Sequence, residues 1–175
     1  MMRTWLVGFL LLVALAFPSR VRAEYVLPYP SYLPGNKLYH LSRFWDATKK
    51  WWYFGSISSL KYHLQLADKY LVEAKTLFEY KQYLLGRDAL LRSNSQFQIL
   101  PKFITDAARE GKDIKIWQNL VEEAGAKHIE VMEKLRRELP PEFLWQPERA
   151  KATLINLAAL FDHAVGVRRK VVENR

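Results

Sequence analysis

Four histidines, one Ser-x-x-Lys pair and two pairs of acids are the residues of this sequence whose types and spacing could do chemistry. His40, His63, His128 and His163 are its histidines. A di-metal site in a helical bundle is built from Glu-x-x-His pairs projecting inward, and no Glu stands three residues before any of the four. His128 falls on an apolar helical stripe, where a lone histidine is expected to be a partnered core residue rather than a ligand. Ser58 and Lys61 have the spacing of a penicillin-recognising nucleophile and its lysine. The companion Lys-Thr-Gly is absent, however, and Ser58 stands where a helix cap is expected. Glu122 with Glu123, and Glu130 with Glu133, lie among lysines and arginines at helical spacing, the pattern of a solvated face. No Gly-rich phosphate loop, Gly-x-Ser-x-Gly or His-Glu-x-x-His occurs. The expectation is a protein with no catalytic residue, no cofactor and no metal; an enzyme of unfamiliar type is the alternative.

The elements that would have to position any such residues are helices. The chain has 175 residues, one domain's worth, of which half are hydrophobic and only seven are glycine. There is no cysteine, so disulfides, thiolate metal sites and a cysteine nucleophile are excluded. Residues 1–23 have the form of a secretory signal. Arg3 precedes a 13-residue apolar run, Trp5 to Phe17; Pro18 breaks it, and Val21-Arg22-Ala23 offers a cleavage site. The rival is an uncleaved membrane anchor, but a spanning helix needs about 20 apolar residues. Cleavage after Ala23 would remove Arg3, Arg20 and Arg22 and no acid, so that 24 of the 27 basic residues remain against 18 acids. That surplus favours anionic partners without pointing to nucleic acid, which an exported protein rarely meets.

Spacing alone marks five helices. The first, about 36–54, carries Leu38, Leu41, Trp45, Thr48 and Trp52 on one face, expected to be the core face, with Gly55 ending it. The second, about 58–80, has the stripe Ile57, Leu60, Leu64, Ala67, Leu71, Ala74 and Phe78. Its other face holds Lys61, Gln65, Asp68, Lys69, Glu73 and Lys75 and is expected to be wet. The third, about 82–110, aligns Leu90, Phe97, Leu100, Ile104 and Ala107, with Pro101 expected to kink or split it. Gly111 closes it and Asp113 is placed to cap the next. The fourth, about 114–139, aligns Ile114, Trp117, Val121, Ala124, His128, Val131 and Leu135 and stops at Pro140-Pro141. The fifth is expected from Pro147, with Ala150, Leu154, Leu157, Phe161, Ala164 and Val171 as its stripe. Arg168, Arg169 and Lys170 suit its negative end. No strand pattern competes. The expected architecture is all-α, an antiparallel bundle of about four to five helices. It is preceded by an extended Pro/Tyr-rich segment: 1–23 signal peptide, 24–35 leader, 36–175 bundle.

The non-routine feature is aromatic density. Residues 43–55, RFWDATKKWWYFG, set Phe44, Trp45, Trp51, Trp52, Tyr53 and Phe54 beside Arg43, Lys49 and Lys50. Such a helix either buries large core residues or lies in a membrane interface; core packing is the expectation. The leader, EYVLPYPSYLPGNKLYHL, interleaves Pro28, Pro30 and Pro34 with Tyr25, Tyr29, Tyr32 and Tyr39. Proline favours extended backbone, Gly35 permits a turn and Asn36 is placed to cap the first helix. The leader is expected to belt the bundle rather than serve as a docking strip. The candidate interaction surface is Tyr25, Tyr29, Tyr32, Phe44, Lys49, Lys50 and Trp51.

Two stretches carry a family resemblance. Leu33-Pro34-Gly35-Asn36-Lys37-Leu38-Tyr39 leads into the first helix, and His63-Leu64-Gln65-Leu66-Ala67-Asp68, followed by Leu71, Glu73 and Ala74, forms the middle of the second. Together they resemble an uncharacterised family of secreted bacterial helical domains, a domain of unknown function, over roughly residues 25–100; Lys37 stands where that family typically has proline. The resemblance implies a signal peptide, an extracytoplasmic location and a helical fold, and supplies no activity. The resulting expectation is an exported, non-enzymatic binding or scaffold protein of the bacterial cell envelope. Its partner would be an envelope protein or an anionic wall or lipid surface. The alternative is a peripheral membrane- or wall-associated protein using residues 43–54.

Overall fold

The structure, a computed structural model, describes residues 24–30, 32–49, 52–148 and 151–173. The expected signal peptide, residues 1–23, lies outside them. Among the described residues the chain forms α1 (Tyr39–Lys49), α2 (Ser56–Glu79), α3 (Tyr83–Gln98), α4 (Leu100–Arg109), α5 (Lys115–Glu138), β1 (Glu142–Trp145), β2 (Thr153–Asn156) and α6 (Leu157–Glu173). The helices make an antiparallel bundle with α2 at its centre, packed along α3 and touching α4 and α5; α6 lies against α3 and α5. Leu60, Leu64, Ala67, Leu71, Ala74 and Phe78 are all buried, as the α2 stripe predicts. So are Leu90, Phe97, Leu100 and Ala107 from the third stripe, and Val121, Ala124, His128 and Leu135 from the fourth.

Local chemistry sets several boundaries where the sequence places them. The expected third helix divides at Ile99, with Pro101 in the first turn of α4, where its missing N–H costs nothing. Gly111 adopts φ +73°, closing α4; α5 takes Ile114 rather than Asp113 as its N-cap, though the Asp113 carboxylate accepts from the Lys115 N–H at 3.0 Å. Asn36 Oδ1 accepts from the Leu38 N–H at 2.9 Å, just after Gly35 turns the chain at φ +101°. α5 ends at Glu138, before the two prolines.

Four expectations are corrected. The first helix spans Tyr39–Lys49 rather than about 36–54, and Gly55 begins α2 instead of ending α1. The last helix begins at Leu157, not Pro147. Residues 142–145 and 153–156 instead form a two-stranded antiparallel ribbon, pairing Phe143 with Ile155. Alternation explains it: Ile155 is buried and Phe143 packs on Tyr83 at 4.5 Å between rings, while Leu144 and Leu154 point out. α2 takes Gly55 as N-cap with no side-chain cap bond, so Ser58 does not cap it; Ser56 Oγ, at the helix start, donates to Glu110. The face of α2 expected to be wet is partly buried, because Asp68 and Glu73 are enclosed by α1, the leader and α3.

Close helix packing gives a paired test. A Cβ on Gly86 of α3 would stand 2.8 Å from the Phe78 ring, whereas one on Gly166 of α6 would meet nothing within 4 Å. Gly86→Ala should cost about 1–3 kcal/mol through overpacking, and Gly166→Ala should be neutral or stabilise by up to about 1 kcal/mol through helix propensity. Urea denaturation of the chain from Glu24 checks both.

Candidate functional site

Two constellations stand out, one buried and one exposed. The buried one centres on Arg168, which has no solvent exposure. Its guanidinium donates to Ser93 Oγ at 2.7 Å, to Asn94 Oδ1, and through Nε to His128 Nδ1 at 3.3 Å. The Ser93 hydroxyl in turn donates a hydrogen bond to the Ala67 carbonyl at 2.7 Å. Since Nδ1 of His128 accepts, Nε2 carries the proton and donates to Asp68 Oδ1 at 2.8 Å. The other Asp68 oxygen accepts the Tyr25 hydroxyl at 2.6 Å. A neutral imidazole thus bridges a buried guanidinium and a carboxylate, with Phe97 lying against both His128 and Arg168 at about 5 Å.

Electrostatics follows from burial. Desolvation holds His128 below its ordinary 6.5, Asp68 acting against this and Arg168 with it. Desolvation also lowers Arg168, to about 9, with Asp68 opposing. Burial and the Asp68 charge push the Tyr25 phenol well above 10. The residues around His128 from every packed element are therefore Asp68, Arg168 and Phe97, an arrangement that holds a core together. Arg168 and His128 are fully buried, while Asp68 also borders the groove between the leader, α1 and α2. Among the described residues no group of three or more His, Asp or Glu converges as a metal site would need. His63 hydrogen-bonds Gln96 and stacks on Phe103, and His40 and His163 lie on the surface. Lys61 sits over the Trp117 ring at 4.7 Å.

The exposed constellation is α1. Its inward face is polar. Tyr39 donates to Glu73 Oε1 at 2.9 Å, which also accepts from Arg92 at 2.8 Å. Asp46 is buried against Lys69, and its carbonyl accepts the Tyr62 hydroxyl at 2.7 Å. The apolar stripe expected in the core points away: Leu41, Phe44 and Trp45 are 60, 63 and 64% exposed, and Trp52, beyond the helix end, is 83% exposed. The expectation of core packing is overturned here, because fixed hydrogen-bond partners on α2 and α3 claim the opposite face of the helix.

The predicted surface residues divide accordingly. Tyr25 is partly buried and structural, while Tyr29, Tyr32, Phe44 and Lys49 are exposed. Tyr29 and Lys49 meet in an open groove of about 510 Å³ between the leader, α1 and α2, floored by Tyr62 and Leu66. Lys50 and Trp51 lie outside the described residues. Sequence reasoning missed Arg168, though a signal existed: Leu157, Phe161, Ala164, Arg168 and Val171 step by four, three, four and three, so Arg168 stands on the core stripe itself. Comparison with protein-family models, with curated proteins and with solved structures gave no match.

The network yields two predictions. Tyr25→Phe removes a hydrogen bond to a charged acceptor and should destabilise the chain by about 1.5 kcal/mol in urea denaturation. Because His128 resists protonation only when folded, the unfolded chain binds the extra proton first. Stability should fall as pH drops below 6.5, and His128→Gln should flatten that limb in thermal melts between pH 7.5 and 5.

Proposed function

We propose that this chain is an exported, non-enzymatic helical binding or scaffold protein of a bacterial envelope, and that it works by docking through α1. One observation carries the reading: α1 is held to the bundle by its polar face and turns its aromatic face to solvent. Burying one such ring is worth about 1.5–3 kcal/mol, so leaving several in water is a standing cost that a partner would relieve. The buried Asp68–His128–Arg168 group is spent on packing, which supports a role without catalysis. The amino-terminal 23 residues, with their charged start, short apolar run and small-residue end, support export. Peripheral membrane or wall association is the specific form of docking that the basic, aromatic character of α1 favours.

Expression of the whole sequence in a bacterium tests both halves. The mature chain should begin at Glu24, and it should sediment with the envelope fraction. A Phe44→Glu/Trp45→Glu double variant, with unchanged circular dichroism, should associate on the order of tenfold more weakly. A chain that stays unprocessed in the cytoplasm, or a double variant that fractionates like the parent, overturns the proposal.

A further inference from the structure

We infer that the α1 face is covered by a lipid surface carrying anionic headgroups, with the helix lying flat on it. The inference rests on the docking reading above and names its partner. Geometry is the first support. At 3.6 residues per turn, Leu41, Phe44 and Trp45 fall within about 100° of the helix circumference, and Leu38, 44% exposed, directly precedes the helix. Trp52 and Phe54, just after the helix in sequence, are also more than 80% exposed. Among the described residues no helix is long and apolar enough to cross a membrane, so the face is of the kind that lies on a bilayer.

Charge is the second. Between residues 36 and 54 the only acid is Asp46, and it is buried against Lys69. Exposed Lys37 and Lys49 stand at the two ends of the apolar face, Lys49 with its ammonium 4.0 Å from Asp46 Oδ1; flexible stems can carry both ammonium groups to headgroups while the rings sit at the acyl boundary. The third support is what the other occupants lack. A second copy would set these cations against each other, on a chain that from Glu24 onward already carries 24 basic residues against 18 acids. A bare anionic polymer would meet the lysines but give the aromatic rings nothing apolar to enter.

The test is flotation of the chain from Glu24 with vesicles of phosphatidylcholine alone, or of phosphatidylcholine with about one-third phosphatidylglycerol. The parent chain should float with the anionic vesicles and not with the neutral ones. Phe44→Glu/Trp45→Glu and Lys37→Glu/Lys49→Glu should each weaken binding by about tenfold or more, with circular dichroism unchanged. These side chains are exposed, so the fold survives their loss. Absence of flotation, equal flotation with both vesicle types, or variants that float like the parent overturns the inference. A dimer seen by sedimentation and abolished by Phe44→Glu/Trp45→Glu, without flotation, gives the face to a second copy instead. If vesicles fail but envelope association still depends on Phe44 and Trp45, only the lipid assignment falls; if both fail, the docking reading falls with it.

Discussion

A guanidinium sealed from water at Arg168 is the constraint around which this bundle closes. A buried charge is tolerated only when its donors find acceptors and its charge finds a counter-charge. Ser93 and Asn94 on α3, His128 on α5 and, through His128, Asp68 on α2 meet that demand. The partners come from three helices besides α6, with Ser93 and Asn94 adjacent on α3, so the group is satisfied in one mutual register of four helices. Apolar stripes alone would tolerate sliding by a turn; a guanidinium fork with fixed acceptors would not. The surrounding core supplies the driving force, and the polar group selects which arrangement of that core is occupied.

The same logic extends outward along α2. Asp68, Lys69 and Glu73 lie on the side of the helix that periodicity alone assigns to solvent. Asp68 holds the leader through Tyr25, Lys69 holds α1 through Asp46 and Ser42, and Glu73 holds α1 through Tyr39 and α3 through Arg92. Leu27 and Leu33 of the leader then pack against the apolar cluster containing Leu77 and Phe161. The leader and α1 are therefore attached by hydrogen bonds and ion pairs at a few points, with apolar contact added from the leader. Hydrogen bonds to charged groups are worth about 1.5–3 kcal/mol each when partly shielded, enough to fix a short element that brings little core of its own.

Most of the helical frame was legible in the sequence because the three-four rhythm is a direct consequence of burying one side of a helix. It located α2 to α5, the break near Pro101 and the stop before Pro140. It could not find the ribbon at residues 142–156, since four-residue strands are too short to show a period distinguishable from a helix turn. The rhythm also groups residues without saying which group faces inward. On α2 the stripe is apolar and its opposite face charged, so the assignment is safe. On α1 the opposite face holds Tyr39, Ser42, Arg43 and Asp46, which can be buried just as well when Glu73, Lys69 and Tyr62 wait across the interface. No count of apolar residues on α1 reveals partners that stand on α2, and the candidate surface could be read there only in part: Phe44 and Lys49 were found, Leu41 and Trp45 were assigned to the core.

That inversion follows from the buried network rather than merely accompanying it. Arg168 needs a counter-charge near α2, and Asp68 provides it. With Asp68 committed inward and capped by Tyr25, the leader is drawn across the bundle, and its path leads through Gly35 and Asn36 directly into α1. Once Tyr39 and Asp46 engage Glu73 and Lys69, the rotation of α1 about its axis is fixed. Every side chain about half a turn away, Leu41, Phe44 and Trp45 among them, must then face water. An exposed aromatic face so determined is hard to remove by relaxation, because turning α1 inward would strip Glu73, Asp46 and Lys69 of their partners inside the interface, at a cost of several kcal/mol. The core arrangement that seals Arg168 is what keeps the aromatic face of α1 presented.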